Sequence, residues 1–255
     1  MIYNFLEITL LSIIQGISEF LPVSSSAHLY LVSEIYQFRS QSLMTDVALH
    51  LGSLIAIIFF FRNELINIFE NKNLLYLLVL GSVPLIIVGW LIFSTGLINN
   101  LRNLEVVAWT TLIFAIILFI ADKFRVRKKL NTNLNIKSIL FIGLFQILSI
   151  IPGVSRSGIV ITAGRFLNFD RYDSTKISFY LSIPAIAGAS ILTLKDLTYE
   201  TINFNVVILF AIIFAFIVSY LSIKYFLIFT KKFSMRIFVI YRIILSLILF
   251  YIIYY

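Results

Sequence analysis

Apolar residues fill six long stretches of the chain, approximately 45–61, 74–93, 105–121, 176–193, 204–228 and 236–254, with few charges inside them. Crossing ~30 Å of hydrocarbon takes roughly 20 helical residues, so this pattern predicts six full transmembrane helices. Two further apolar segments are short and interrupted. They run about 3–21 then 27–36, and about 138–151 then 159–168. The first interruption reads Gln15-Gly16-Ile17-Ser18-Glu19-Phe20-Leu21-Pro22-Val23-Ser24-Ser25-Ser26-Ala27-His28. The second reads Gln146-Ile147-Leu148-Ser149-Ile150-Ile151-Pro152-Gly153-Val154-Ser155-Arg156-Ser157-Gly158. Non-helical backbone at membrane depth is tolerated only where protein or a wet cavity covers it. Each segment is therefore predicted to be a re-entrant helical hairpin whose break lines a site.

Laid on itself at an offset near 130, the chain pairs Gln15 with Gln146, the 74–93 stretch with 204–223, and position 105 with 235. The expectation is an all-α polytopic membrane protein built as an inverted-topology repeat. Residues 1–122 form the first half, with a hairpin over about 3–36 and three transmembrane helices. Residues 123–136 form a basic cytoplasmic linker, and 137–255 the second half, with a hairpin over about 138–168 and three more helices. An odd number of crossings per half inserts the second half upside down, so the hairpins would enter from opposite faces and meet midway.

Loop charge gives the orientation. Loops on one side hold Arg62, Lys72, Lys123, Arg125, Arg127, Lys128, Lys129, Lys137, Arg165, Arg171, Lys176, Lys231, Lys232 and Arg236. The other side holds only Arg39, Arg102 and Lys195. The positive-inside rule then places both termini outward.

Composition agrees with this class. At 60% hydrophobic and 13% charged residues, with mean hydropathy +1.02, the chain has too little polar surface to cover a water-soluble globule. Met1 to Leu11 carries no Lys or Arg and the apolar character continues beyond it, which predicts a retained N-terminus. The absence of Cys excludes disulfides, thiolate catalysis and Cys-ligated metals. The net charge of +8 sits in short runs at the ends of apolar stretches, an orientation signal and no footprint for nucleic acid.

The chemistry must come from the two breaks. Half-helices starting at Ser24 or Ser25 and near Ser155 would aim unpaired N–H groups and positive dipole ends at the midplane. Arg156 adds a permanent charge whose planar fork matches phosphate oxygens. Ser155 and Ser157 flank it as hydroxyl donors, and Gly153 lets backbone approach a ligand closely. In the first break Ser24, Ser25 and Ser26 are candidate nucleophiles, and His28, three residues beyond Ser25, shares its helix face. Glu19 supplies a carboxylate just upstream. A serine needs a base to take its proton, so Ser with His or Glu in reach, opposite Arg156, is the minimum set for covalent phosphoryl transfer. His50 lies in an apolar stretch with no motif around it and reads as structural or as a support for the groups that touch the ligand; Arg242, likewise in an apolar stretch, reads as structural.

The Gln15–His28 run and the Pro152–Gly158 run together resemble the two signature motifs of the undecaprenyl-diphosphate phosphatase family associated with bacitracin resistance. The resemblance covers essentially the whole chain, including Tyr241-Arg242 in the last crossing. It implies a bacterial inner-membrane enzyme that removes the terminal phosphate of undecaprenyl diphosphate, recycling the lipid carrier for cell-wall synthesis, with its site open to the outer, periplasmic side. By this resemblance Ser25 matches the proposed nucleophile, with Glu19, His28 and Arg156 as its catalytic companions. Gln15, Ser24, Ser26, Ser155, Ser157 and Gly153 fall at substrate-binding positions.

Two positions depart from the family pattern: Gln15 where many members have a first Glu, and Val160 where Thr is common. An amide supplies no negative charge, which weakens a paired-carboxylate metal site and leaves Glu19 as the one candidate ligand for a divalent cation, Mg2+ or Ca2+. The candidate partners are the bilayer, a polyprenyl diphosphate lipid and a second copy of the chain as a homodimer. The rival reading is a secondary transporter or flippase of a prenyl phosphate lipid, because broken helices meeting at midplane are common in transporters. A carrier needs anion-binding groups but has no use for an activated serine.

Overall fold

The computed structural model of the chain describes residues 2–36, 42–96, 101, 103–197 and 206–255. Arg39 and Arg102, which carry part of the loop-charge argument, lie outside the described residues, as do the side chains of Lys195 and Ser26.

Six helices are long and apolar enough to cross a membrane. They are α3 (Leu43–Phe60), α5 (Lys72–Thr95), α6 (Leu104–Asp122), α10 (Arg171–Leu197), α11 (Val206–Lys232) and α12 (Arg236–Tyr254). Each covers one of the six stretches read from hydropathy. Along α5, Tyr76, Val83, Ile86 and Trp90 stand exposed, an apolar exterior that lipid covers. Asn103 caps α6 by accepting the N–H of Val106, and Ser42 caps α3 by accepting that of Thr45.

The two Ser/Pro segments break where expected. Helix α1 (Ile2–Ser18) stops before Glu19, and α2 (Ser25–Tyr36) starts three residues after Pro22. In the second half, α8 (Ile136–Ile147) passes through a 3-10 turn (Leu148–Ile150) to the break, and α9 (Arg156–Phe166) follows. At 12 and 11 residues, α8 and α9 span about 18 and 16 Å at 1.5 Å per residue, too short to cross. Two short helices were not legible in the sequence: α4 (Arg62–Glu70), which buries only Ile68, and α7 (Leu130–Asn133), inside the expected linker.

Packing crosses between the halves. The helices that precede the two breaks lie on spans distant in sequence, α1 on α11 and α8 on α5, while α3 packs on α11 and α10 on α5. Small residues allow these approaches, since there is no hydrophobic drive between helices in lipid. A Cβ on Gly143 would meet the Gly81 carbonyl at 2.4 Å, and one on Gly52 would meet the Ile212 carbonyl at 2.4 Å. The hydroxyls of Ser53 and Ser219 lie 2.9 Å apart across the α3–α11 seam. Phe20, fully buried in the first break, stands edge-on to Phe179 of α10 at 5.4 Å and fixes the break against the core.

The α3–α11 seam gives a stability test. Gly52→Val is expected to destabilise the protein by about 2–3 kcal/mol, the cost of overpacking, whereas Gly89→Val, where a Cβ meets nothing within 4 Å, should leave the midpoint near wild type. Thermal unfolding in detergent reads both, and equal midpoints would remove the close seam as a determinant of the fold.

Candidate functional site

Glu19 sits in the first break, 7% exposed, at the centre of a set of directed contacts. Its Oε1 accepts Arg156 Nη2 at 2.7 Å. Its Oε2 accepts the Ser25 hydroxyl at 2.8 Å and the Gln15 amide at 3.0 Å. An unpaired carboxylate at membrane depth is costly, and these three donors offset that cost. The local sequence explains the arrangement. Gln15 and Glu19 are four apart and share a face at the end of α1, which extends one turn through Glu19 N–H to Gln15 O at 2.9 Å. Pro22 then prevents helical continuation, and the chain reverses through Val23 N–H to Leu21 O at 2.8 Å.

Ser24 closes the first break with φ 75°, and Ser155 closes the second with φ 70°. Each stands immediately before its half-helix. A non-glycine residue in this region costs of order 1–3 kcal/mol and persists where surrounding structure over-determines it. Ser155 recovers part of the cost by capping α9, its Oγ accepting Gly158 N–H at 3.2 Å. Ser157 Oγ donates to the Leu21 carbonyl at 2.7 Å, joining one break to the other, and lies 3.2 Å from Ser155 Oγ. Arg156 also reaches the carbonyls of Glu19 and Ser178, each at 3.4 Å.

The second break is held from behind by the last span. Arg242 of α12 is fully buried and donates through Nη2 to the carbonyls of Gly153 at 2.9 Å and Val154 at 3.2 Å. Thr110 of α6 donates to the Pro152 carbonyl at 2.6 Å. Gly153 has φ 88°, and a Cβ there would meet Thr110 Oγ1 at 2.1 Å. The expected role of Gly153, an approach to a ligand, gives way to an approach to α6.

His28 departs from its expected pairing. Its Nδ1 lies 2.6 Å from the Ser24 carbonyl, its Nε2 is hydrogen-bonded to the Tyr241 hydroxyl, and its ring stacks on Tyr241 at 5.7 Å. Both ring nitrogens are thus committed elsewhere, and the partner of the Ser25 hydroxyl is Glu19. Helical spacing put His28 on the face of Ser25 but could not register the Ser24 carbonyl or a tyrosine 213 residues away. His50, read as structural or as a support for the site, places Nε2 at 3.9 Å from Glu19 Oε2, with Nδ1 at 2.8 Å from the Asp46 carbonyl. The signal for it was present: one of only two histidines in the chain, set in an apolar span, where ionisable groups are functional by default.

The structure therefore brings Gln15, Glu19, Ser25 and Arg156 into one bonded cluster, with Ser155 and Ser157 beside it and Ser24 and His28 behind it. Two half-helix N-termini leave first-turn N–H groups for an anion. A hydroxyl on a carboxylate, with a guanidinium on the carboxylate's other oxygen, is a set of groups able to supply a nucleophile, a base and an anion-stabilising charge.

A family profile described as "Bacitracin resistance protein BacA" matches residues 8–248. A protein named undecaprenyl-diphosphatase from Pelagibacter ubique (strain HTCC1062) is 58% identical over 255 residues, covering 100% of both chains. Proteins of the same name from Elusimicrobium minutum (strain Pei191) and Alteromonas mediterranea (strain DSM 17117 / CIP 110805 / LMG 28347 / Deep ecotype) are 43% and 38% identical, covering 94% and 95% of this chain and 95% and 96% of their own.

Replacing Arg242 tests the support behind the second break. Arg242→Met leaves the Val154 carbonyl without its arginine donor and the Gly153 carbonyl with the Thr111 hydroxyl at 3.4 Å, and a loss of about 1–3 kcal/mol is expected from the unsatisfied buried group. A thermal midpoint in detergent equal to wild type would show that the break stands without this clamp.

Proposed function

The chain belongs to the bacitracin resistance protein BacA family, and from that premise we propose that it is a membrane phosphatase hydrolysing undecaprenyl diphosphate to undecaprenyl phosphate and inorganic phosphate. The observation that carries this reading is the Ser25 hydroxyl donated at 2.8 Å to Glu19, whose other oxygen holds Arg156 at 2.7 Å. The reaction recycles the lipid carrier for cell-wall synthesis and confers bacitracin resistance. A transporter would have no use for a hydroxyl held on a base.

The steps follow from the contacts. The terminal phosphate enters between the two half-helix N-termini, where Arg156 turns its remaining donors to the phosphate oxygens. Glu19 takes the Ser25 proton as Oγ attacks the terminal phosphorus. The bond from that phosphorus to the bridging oxygen breaks, and undecaprenyl phosphate leaves with the electron pair. Glu19 passes its proton to the departing phosphate, then takes one from the water that attacks the phosphoserine; the bond from phosphorus to Ser25 Oγ breaks, and Glu19 returns that proton to Oγ as inorganic phosphate is released. Arg156 bears the charge spread over the equatorial oxygens in both steps.

A divalent cation, Mg2+ or Ca2+, fits the site only in company with the substrate. Among the described residues no group of three His, Asp or Glu converges to hold a metal. Yet the buried Gln15 Oε1 has no hydrogen-bond partner, beside the Glu19 carboxylate. Glu19 and Gln15 would hold one side of such an ion and diphosphate oxygens the other. Bound there, it would neutralise phosphate charge.

A groove of about 460 Å³ beside the site suits the prenyl tail. It is lined by Ile17 and Leu21 of the first hairpin region and by Leu221, Tyr225, Phe226 and Phe229 of α11. Opposite orientation of the two halves is part of this reading. It is supported by the three spans that follow each hairpin, the packing of each hairpin on the other half, and the same left-handed serine before each half-helix. The gathering of Lys and Arg at one end supports an orientation with that end cytoplasmic, and a bacterial inner membrane with the site open to the outer face is part of the same reading.

Phosphate release from undecaprenyl diphosphate by purified protein, with and without chelator, tests the activity. Arg156→Ala is expected to lower turnover by about 10³-fold or more, the scale of an arginine that stabilises phosphoryl transfer. Near-normal turnover would defeat its role. Ser25→Ala should lower turnover by about 10²-fold or more and far more than Ser24→Ala; equal small losses would make water the attacking group.

A further inference from the structure

A second concave site, lined by none of the residues around Glu19, opens where α6, α9 and α11 end and α10 and α12 begin. Its volume is about 640 Å³, and five cations line it: Lys123, Arg165, Arg171, Lys231 and Arg236. Two carboxylates, Asp122 and Asp170, face them, and both are engaged. Asp122 accepts Arg171 Nε at 2.6 Å, Arg171 Nη2 at 3.1 Å and the Met235 N–H at 3.1 Å, with Arg165 Nε 3.6 Å away. Asp170 accepts the Asp173 N–H at 2.7 Å at the start of α10.

Three cations are left over. Among the described residues, Lys123, Lys231 and Arg236 have no carboxylate within ion-pair distance. Lys123 and Lys231 lie over the rings of Phe119 at 4.1 Å and Tyr172 at 4.5 Å, contacts that orient a charge without neutralising it. The walls are fixed. Arg165, 2% exposed, donates to the carbonyls of Phe169, Asp122 and Phe124. The basic linker is tied down by Arg127 and Lys128 N–H groups on the Asn168 carbonyl at 3.0 and 3.1 Å. Helices of 27 and 19 residues, α10 and α12, start at this cavity and add positive dipole ends.

We infer that this cavity binds a phosphate group at the membrane surface, the headgroup phosphate of an anionic phospholipid in the leaflet at the basic end. The ends of four spans meet here, which is headgroup depth. Exposed Phe124 and Val126 on the rim give acyl chains an apolar contact. Preformed basic pockets between transmembrane helices bind such headgroups. Free inorganic phosphate shares the chemistry but lacks the apolar part.

The experiment titrates the full chain, in neutral detergent, with short-chain phosphatidylglycerol, short-chain phosphatidylcholine and inorganic phosphate, reading bound ligand and thermal midpoint. Phosphatidylglycerol is expected to bind saturably and raise the midpoint, and phosphatidylcholine to do neither. K231Q/R236Q should weaken phosphatidylglycerol binding by roughly 25-fold, about fivefold per charge. R62Q/K72Q removes the same charge from the same end outside the cavity and should stay within about twofold. Equal losses in the two double variants, or equal binding of the two lipids, would overturn the site. Protection by inorganic phosphate as strong as by phosphatidylglycerol, lost in K231Q/R236Q alone, would keep the phosphate site and overturn the lipid as its source.

Discussion

The ion pair between Glu19 and Arg156 is the contact on which the centre of this molecule depends. Each charge alone would be expensive at membrane depth, at least about 2.5–3.5 kcal/mol on insertion scales. Together, 2.7 Å apart and with Ser25 and Gln15 donating to the same carboxylate, they are tolerated. The pair is also the bond that joins the two breaks, since Glu19 follows α1 and Arg156 opens α9. Ser157 on the Leu21 carbonyl reinforces the same junction at 2.7 Å. What joins the two breaks is therefore also what gathers Glu19, Ser25 and Arg156.

That economy has a chemical consequence on the phosphatase reading. A diphosphate brings more negative charge than one carboxylate, so it competes with Glu19 for the guanidinium. As Arg156 shares its charge with phosphate through its remaining donors, its hold on Glu19 weakens while Ser25 remains within hydrogen-bond reach, and the carboxylate becomes better able to take the serine proton. The resting pair thus holds the base in place without the substrate and releases it with the substrate. His50, 3.9 Å from the same carboxylate oxygen, stands where it influences that exchange.

Much of this was legible in the sequence, for reasons that differ by feature. The six spans follow from hydropathy because lipid imposes one length on every crossing. The two breaks follow from Pro22 and Pro152 among serines, because interrupted helices in lipid must be covered by something. Glu19 and Arg156 stood out because a charge in an apolar run demands a partner. The partners themselves were not legible: His28 meets Tyr241 across 213 residues and Arg242 meets Gly153 across 89, and local spacing carries no information about either. At Gly153 a sequence shows that a residue lacks a Cβ but not which neighbour requires it, here Thr110 of α6. Helix α4 was missed because its nine residues are too few and too polar to stand out as an apolar stretch.

The two left-handed serines show how the breaks themselves are made rigid. Ser24 and Ser155 each hold a conformation that glycine would adopt at no steric cost, yet both positions carry a hydroxyl. At Ser155 the reason is visible, since its Oγ caps α9 through Gly158. At Ser24 the carbonyl receives both the His28 N–H at 3.3 Å and sits 2.6 Å from His28 Nδ1, so the turn orients a histidine that Tyr241 then holds from the other side. A glycine would reach the same backbone angles but would add flexibility at the entry to each half-helix. Strain at these two positions is offset by contacts from α6, α10 and α12, which is why the later spans, remote in sequence from the chemistry, are needed to keep the chemistry in place.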